Sequence, residues 1–250
     1  MSNILDQVAR KSLAATLTSQ FLPATPSEFL ASRIASHLND GRAVRHYVEL
    51  AQLYGDRALL TAYRRIRDHG LHRDPGRSFH MELERLTPKG GDDHSTSRRR
   101  VAAIRIERRA VAVALFSGEE LDSVPLVRQL SSDGGKALGS AAMFIRHILE
   151  KRPFLAAAME VLPPGDEVQR TQLDRVIIQV LTESPAISIW RVPKRDVIRA
   201  FGQPPLRFRG QVRETVESIF PESNGSFGGH LIKDALALGL YCQTEYLLNL

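Results

Sequence analysis

One cysteine, Cys242, and one tryptophan, Trp190, are all that the 250 residues contain of either type. A lone cysteine excludes a disulfide framework within the chain and any zinc site built on several of its thiolates. Its apolar C-terminal surroundings make it a core residue. No run approaches the ~20 consecutive apolar residues that cross a bilayer. The opening stretch MSNILDQVARKSLAATLTSQF interleaves charged and polar groups where a signal peptide has its apolar core. These absences predict a soluble, cytoplasmic protein with no membrane partner. Two catalytic signatures are missing as well. There is no Gly-x-Ser-x-Gly elbow. SSDGGKALGS lacks the spacing of a phosphate-binding loop, because Lys136 is followed by Ala137. That stretch reads as a glycine turn opening a helix.

What the chain does have is positive charge. Lysine and arginine number 34 against 28 aspartates and glutamates, giving +6 and a sequence pI near 9.8. Most of the cations are arginines, whose planar fork suits phosphate better than a lysine ammonium does. The balance favours an acidic partner, nucleic acid first. A merely solvated basic surface is the plain alternative.

Residues 1–86 read as a helical N-terminal domain. In TPSEFLASRIASHL, Thr25 can cap a helix with Pro26 at its first position and Glu28 three residues after the cap. AVRHYVELAQLYGDRALLTAYRRIRDHG then places Val44, Tyr47, Val48, Leu59, Leu60, Tyr63 and Ile66 at helical spacing, with Gly70 as a C-cap. Its polar side carries Arg42, Arg45, Arg57, Arg64, Arg65 and Arg67, either a docking face for phosphate or an acidic protein partner, or a solvated helix face. Residues 87–100, TPKGGDDHSTSRRR, lose all apolar periodicity and predict a flexible linker. His94 with Asp92 and Asp93 is too small a donor set there to hold a metal unaided.

From residue 101 the pattern turns to β/α order. Strands are expected at 101–107, 110–116 and 124–130, then a helix at 134–150, a strand within 153–161 and an amphipathic helix on GDEVQRTQLDRVIIQVLTES. AISIWRV gives a fifth strand, and helical pieces and an apolar closing helix follow. A three-strand meander continued by parallel strands through helical crossovers predicts a mixed five-stranded α/β sheet flanked by helices. Trp190, at the end of a predicted strand, is either a base-stacking platform or core.

Two acids fall at strand ends, Glu107 and Glu160. Asp234 lies near the start of the closing helix, four residues after His230 and on the same face. Carboxyl ends of parallel strands border the functional crevice of open α/β sheets, so these groups are placed to converge. Convergent carboxylates repel unless neutralised, and Mg²⁺ or Mn²⁺ does this with oxygen ligands. Such ions activate water in phosphodiester hydrolysis.

The meander AIRIERRAVAVALF, the acid ending AAAME, the strand and basic helix of ISIWRVPKRDVIRAFG, and the closing DALALGLY together resemble the RNase H-like fold. More narrowly, residues 101–250 resemble RuvC-type Holliday-junction resolvases. The resemblance implies a metal-dependent endonuclease with Glu107, Glu160 and Asp234 as Mg²⁺ or Mn²⁺ ligands and His230 as auxiliary ligand or proton-transfer group. DNA is then the favoured nucleic acid, and a homodimer would present two sites to a symmetric junction. This sequence departs from the family at Glu107, where a shorter Asp is usual and where two arginines follow. A second outcome therefore stands beside the first: a pseudonuclease that keeps the fold to bind nucleic acid or scaffold a complex, with Glu107 paired to Arg105, Arg108 or Arg109. Nucleic-acid contacts are expected from Arg108, Arg109, Lys194 and Arg195, and from Arg207, Arg209 and Arg213, which flank Phe208 in PPLRFRGQVR.

Overall fold

The computed structural model describes residues 20–69, 74–86, 100–117, 120–184, 186–221 and 229–249. Gly70, residues 87–99 of the predicted linker and the Asp92–Asp93–His94 group lie outside them.

Strand β1 (Arg100–Glu107) folds back on β2 (Ala110–Ser117) through the two-residue turn at Arg108 and Arg109. Both strands are almost continuously apolar because both faces of the sheet are covered. The third position of the meander is broken in two. Short β3 (Glu120–Leu121) pairs with the end of β2, and β4 (Leu126–Gln129) pairs with its beginning. Helix α5 (Gly134–Lys151) follows, its first turn capped by Asp133, whose carboxylate accepts from the amides of Gly135 and Lys136. Strand β5 (Ala156–Glu160) then pairs parallel to β1, helix α6 (Val168–Thr182) crosses over, and β6 (Ser188–Val192) pairs parallel to β5. The resulting order, β3/β4–β2–β1–β5–β6, is a mixed sheet in which an antiparallel meander is continued by parallel strands through helical crossovers, as the sequence predicts.

Each sheet face has its own core. Helices α5 and α6 pack on Ile104, Ile106, Val111, Val113 and Met159. The opposite face is lined by alanines, Ala103, Ala112, Ala114 and Ala158, which let α9 (Gly229–Asn249) lie close on the sheet beside α7 (Lys194–Ala200) and α8 (Arg209–Ile219). Trp190 is partly buried against this core and stacks on Tyr246, ring centroids 5.3 Å apart. Cys242 is buried, which pushes its thiol pKa up.

The N-terminal helices are α1 (Pro26–His37), α2 (Val44–Tyr54), α3 (Asp56–Asp68) and α4 (Pro75–Arg85). Thr25 caps α1 as expected, accepting from the Glu28 amide at 3.1 Å. The long periodic stretch is two helices, because Gly55 takes φ of 79°, a left-handed value that interrupts the backbone between Tyr54 and Asp56. These helices grip the end of α9. Arg64 donates to the Leu247 carbonyl and Arg67 to that of Leu248, serving the orphan acceptors of a helix C-terminus. Two arginines of the predicted docking face are thereby turned inward.

Glu245 closes the same junction. It meets Arg33 at 2.7 Å and the His37 ring at 3.1 Å. Burial works to raise its pKa, but the hydrogen bond with His37 and the charge of Arg33 outweigh it and leave the carboxyl below its ordinary range. A depressed carboxylate stabilises the fold above its unfolded pKa and loses that contribution as pH falls through the folded value. Glu245→Gln should therefore be less stable than the parent by roughly 2 kcal/mol at neutral pH. In urea melts the gap should narrow under acid; a gap independent of pH would show that ionisation is not what stabilises the junction.

Candidate functional site

The parallel register decides which side chains share the carboxyl edge of the sheet. Val101 pairs with Ala156, Ala103 with Ala158 and Ile104 with Met159. One residue further sets Arg105 beside Glu160, both on the α9 face. Their side chains meet, Arg105 Nη1 lying 2.6 Å from Glu160 Oε2. Glu107 is two residues beyond, which at the rise of a strand is ~6.6 Å further along. It is exposed at the hairpin turn.

Asp234 is carried over Arg105 by the second turn of α9. Its carboxylate is 3.6 Å from Arg105 Nε and is held in a fork by Arg213, from Nε to Oδ1 at 2.7 Å and from Nη2 to Oδ2 at 2.9 Å. Arg209 and Arg213 are four apart on α8 and so share one helix face. Arg209 bridges the two acids, donating to Glu160 Oε2 and approaching Asp234 Oδ2 at 3.2 Å. The structure thus brings together Glu160 and Asp234 of the predicted acids, and joins them with three guanidinium groups. Glu107 reaches this group only through its field on Arg213, and His230 is exposed at the start of α9.

Burial makes the arrangement demanding. Arg105 is 4% exposed and Asp234 6%. Desolvation lowers the Arg105 pKa, opposed chiefly by Glu160, while the hydrogen bond to Asp234 raises that of Arg213. Lys194, at the first turn of α7, is depressed mainly by the charge of Arg209 and then by burial, so the cations outnumber the acids. Arg105 Nε has no hydrogen-bond partner closer than ion-pair range.

The donor set does not fit Mg²⁺ or Mn²⁺. Both oxygens of Asp234 and Oε2 of Glu160 are occupied by guanidinium groups. A divalent ion placed 4 Å from any one of them would meet roughly 8 kcal/mol of repulsion at an effective dielectric of about 20. Among the described residues no group of three His, Cys, Asp or Glu side chains could hold a metal.

Of the remaining predicted contacts, Arg108 pairs with Glu167 at 2.8 Å and Arg195 with Asp196 at 3.5 Å, both exposed. Arg109 and Arg207 are exposed, and Phe208 is 69% exposed at the N-cap of α8. The residue that sequence reasoning placed only as a neighbour is Arg105. Its signal was a charge in the interior of an otherwise apolar strand, where a partner is obligatory.

No family model and no curated protein sequence matches the chain. Solved structures similar to it include Thermus thermophilus RuvC in complex with a Holliday-junction substrate, at 16% identity and TM-score 0.49, over 60% of this chain and 94% of that one. The same protein in another structure matches at 16% identity and TM-score 0.48, over 60% and 95%. The yeast mitochondrial Holliday junction resolvase Ydc2 matches at 13% identity and TM-score 0.42, over 76% and 95%. No helix among the described residues is long and apolar enough to cross a membrane.

Proposed function

We propose that this chain is an RNase H-fold module that binds nucleic acid without cutting it. The observation that carries this reading is the guanidinium of Arg105 set between Glu160 and Asp234, the two predicted metal ligands that converge. Two-metal hydrolysis needs carboxylates free to share cations, and these are neutralised by arginine. The net charge of +6 supports an acidic partner. So does the exposed strip of Lys194, Arg195, Arg207 and Phe208 beside the cluster, which offers cations to a phosphate backbone and one aromatic face to a base.

The test combines binding and cleavage on one set of labelled single-stranded, duplex and four-way-junction DNAs and matching RNAs, each with Mn²⁺ present. Salt-dependent binding with intact product strands is expected. Substituting Lys194, Arg195 and Arg207 together with alanine should weaken binding and flatten the log K against log salt slope by about 0.9 for each phosphate that is no longer neutralised. Mn²⁺-dependent cleavage that disappears in Asp234→Asn would overturn the non-cleaving part of the reading. An absence of binding to every probe would overturn the rest.

A further inference from the structure

Away from the arginine cluster, helices α2 and α4 bring two histidines into contact. Nε2 of His46 lies 3.0 Å from Nε2 of His80, and the rings stack with centroids 4.6 Å apart and planes inclined by 22°. The pairing follows from the core beneath. Tyr47 and Phe79, each adjacent in sequence to one of the histidines, are fully buried and pack with ring centroids 5.2 Å apart. That contact fixes the two helices so that the neighbouring imidazoles face each other at the surface.

His46 has a carboxylate behind it, as ligating imidazoles commonly do. Glu49 Oε2 stands 3.5 Å from Nδ1 of His46, one turn along α2. A proton on that Nδ1, facing a carboxylate, leaves Nε2 as a lone pair aimed at His80, the arrangement that commonly stands behind a metal-bound histidine. Burial, then the field of His46, holds the His80 pKa below its ordinary value. The charges of Glu84 and Asp40 also act on His80 and add negative potential there.

Metal–imidazole bonds are ~2.0–2.1 Å, so two cis nitrogens on one ion stand about 2.9 Å apart at a right angle and about 3.3 Å apart at a tetrahedral angle. The observed 3.0 Å lies between these values. We propose that His46 and His80 form a surface site for a borderline first-row cation of the Zn²⁺ or Cu²⁺ class, clamping α4 onto α2. Imidazole pairs select these ions over Mg²⁺ or Ca²⁺. No third His, Cys, Asp or Glu joins the pair among the described residues, and the His46 side chain is 48% exposed. The remaining coordination positions therefore belong to water or to a group brought from outside, and the ion exchanges readily.

The experiment titrates the metal-free, untagged full chain with Cu²⁺ and follows it by electron paramagnetic resonance. One Cu²⁺ per chain is expected, with superhyperfine splitting from two imidazole nitrogens. That signal should vanish in His46→Ala and in His80→Ala, persist in His230→Ala, and bind on the order of tenfold more weakly in Glu49→Gln. In parallel, Zn²⁺ should raise the melting temperature of the parent and leave His80→Gln unmoved. Melting without metal shows whether each variant is folded, and His80→Gln serves should an alanine variant fail. A parent that takes up no Cu²⁺, or a double His46→Ala, His80→Ala chain that binds as the parent does, would reduce the pair to a hydrogen bond and overturn the site.

Discussion

Arg105→Ala is expected to lower the stability of the fold by about 3 kcal/mol, the lower end of the range for breaking a buried ion pair. The side chains involved are nearly sealed, with 5% of Arg105, 9% of Glu160 and 3% of Asp234 exposed. Removing the guanidinium leaves two carboxylates partly unpaired in a place that water barely reaches. The loss stays at the lower end because Arg209 still touches both acids and Arg213 still holds Asp234 in its fork. Arg105→Lys should recover part of the loss, since an ammonium restores the charge without the bidentate reach. Urea unfolding with an unchanged m-value would read these effects as stability. A change below about 0.5 kcal/mol, the level of an ordinary surface substitution, would show that the Arg105 ion pairs do not hold this edge of the sheet together. The double variant Arg105→Met, Glu160→Gln should lose less than the two single losses combined, because each single change orphans the other group.

Much of this was legible in the chain because it is local. Alternation and apolar runs mark the meander, AAAME ends in the acid that does reach the site, and Asp234 lies where a closing helix can carry it over the sheet. The exchange of Glu107 for Arg105 was not legible, for a physical reason. Arg105 and Glu107 are two residues apart on the same face of β1, so alternation alone does not tell which of them stands level with Glu160. That level is set by pairing with β5, more than fifty residues away, where Val101 opposes Ala156. Arg105 was also masked by its company: beside Arg108 and Arg109 it reads as part of a basic turn, although the turn begins only after Glu107. The break at Gly55 was hidden for a similar reason. Apolar spacing continues across it, and only the backbone angle separates α2 from α3. Arginines 64 and 67 look like a solvated face until the end of α9 arrives from the far end of the chain.

Gly239→Ala should be nearly as damaging as loss of Arg105, by up to about 3 kcal/mol through overpacking. A methyl group at Gly239 would run into the Phe116 ring well inside van der Waals contact and would stand 3.0 Å from Cβ of Ala103. Phe116 is fully buried and packs against Phe220, so it has no open side to turn toward. The relief left is for α9 to rise from the sheet. Asp234 is five residues earlier on that helix, so the same movement would draw its carboxylate away from Arg105 on the sheet. Gly239→Ala and Arg105→Ala should then be less than additive, because the first already weakens what the second removes. Gly139 provides the control of opposite sign. It lies within helix α5 with nothing inside 4 Å of an added Cβ. Gly139→Ala should stabilise the fold by roughly 0.5–1 kcal/mol through helix propensity alone. If Gly239→Ala left the urea midpoint unmoved or raised it as Gly139→Ala should, close approach of α9 to the alanine-lined face could not be what sets the height of Asp234 over the sheet.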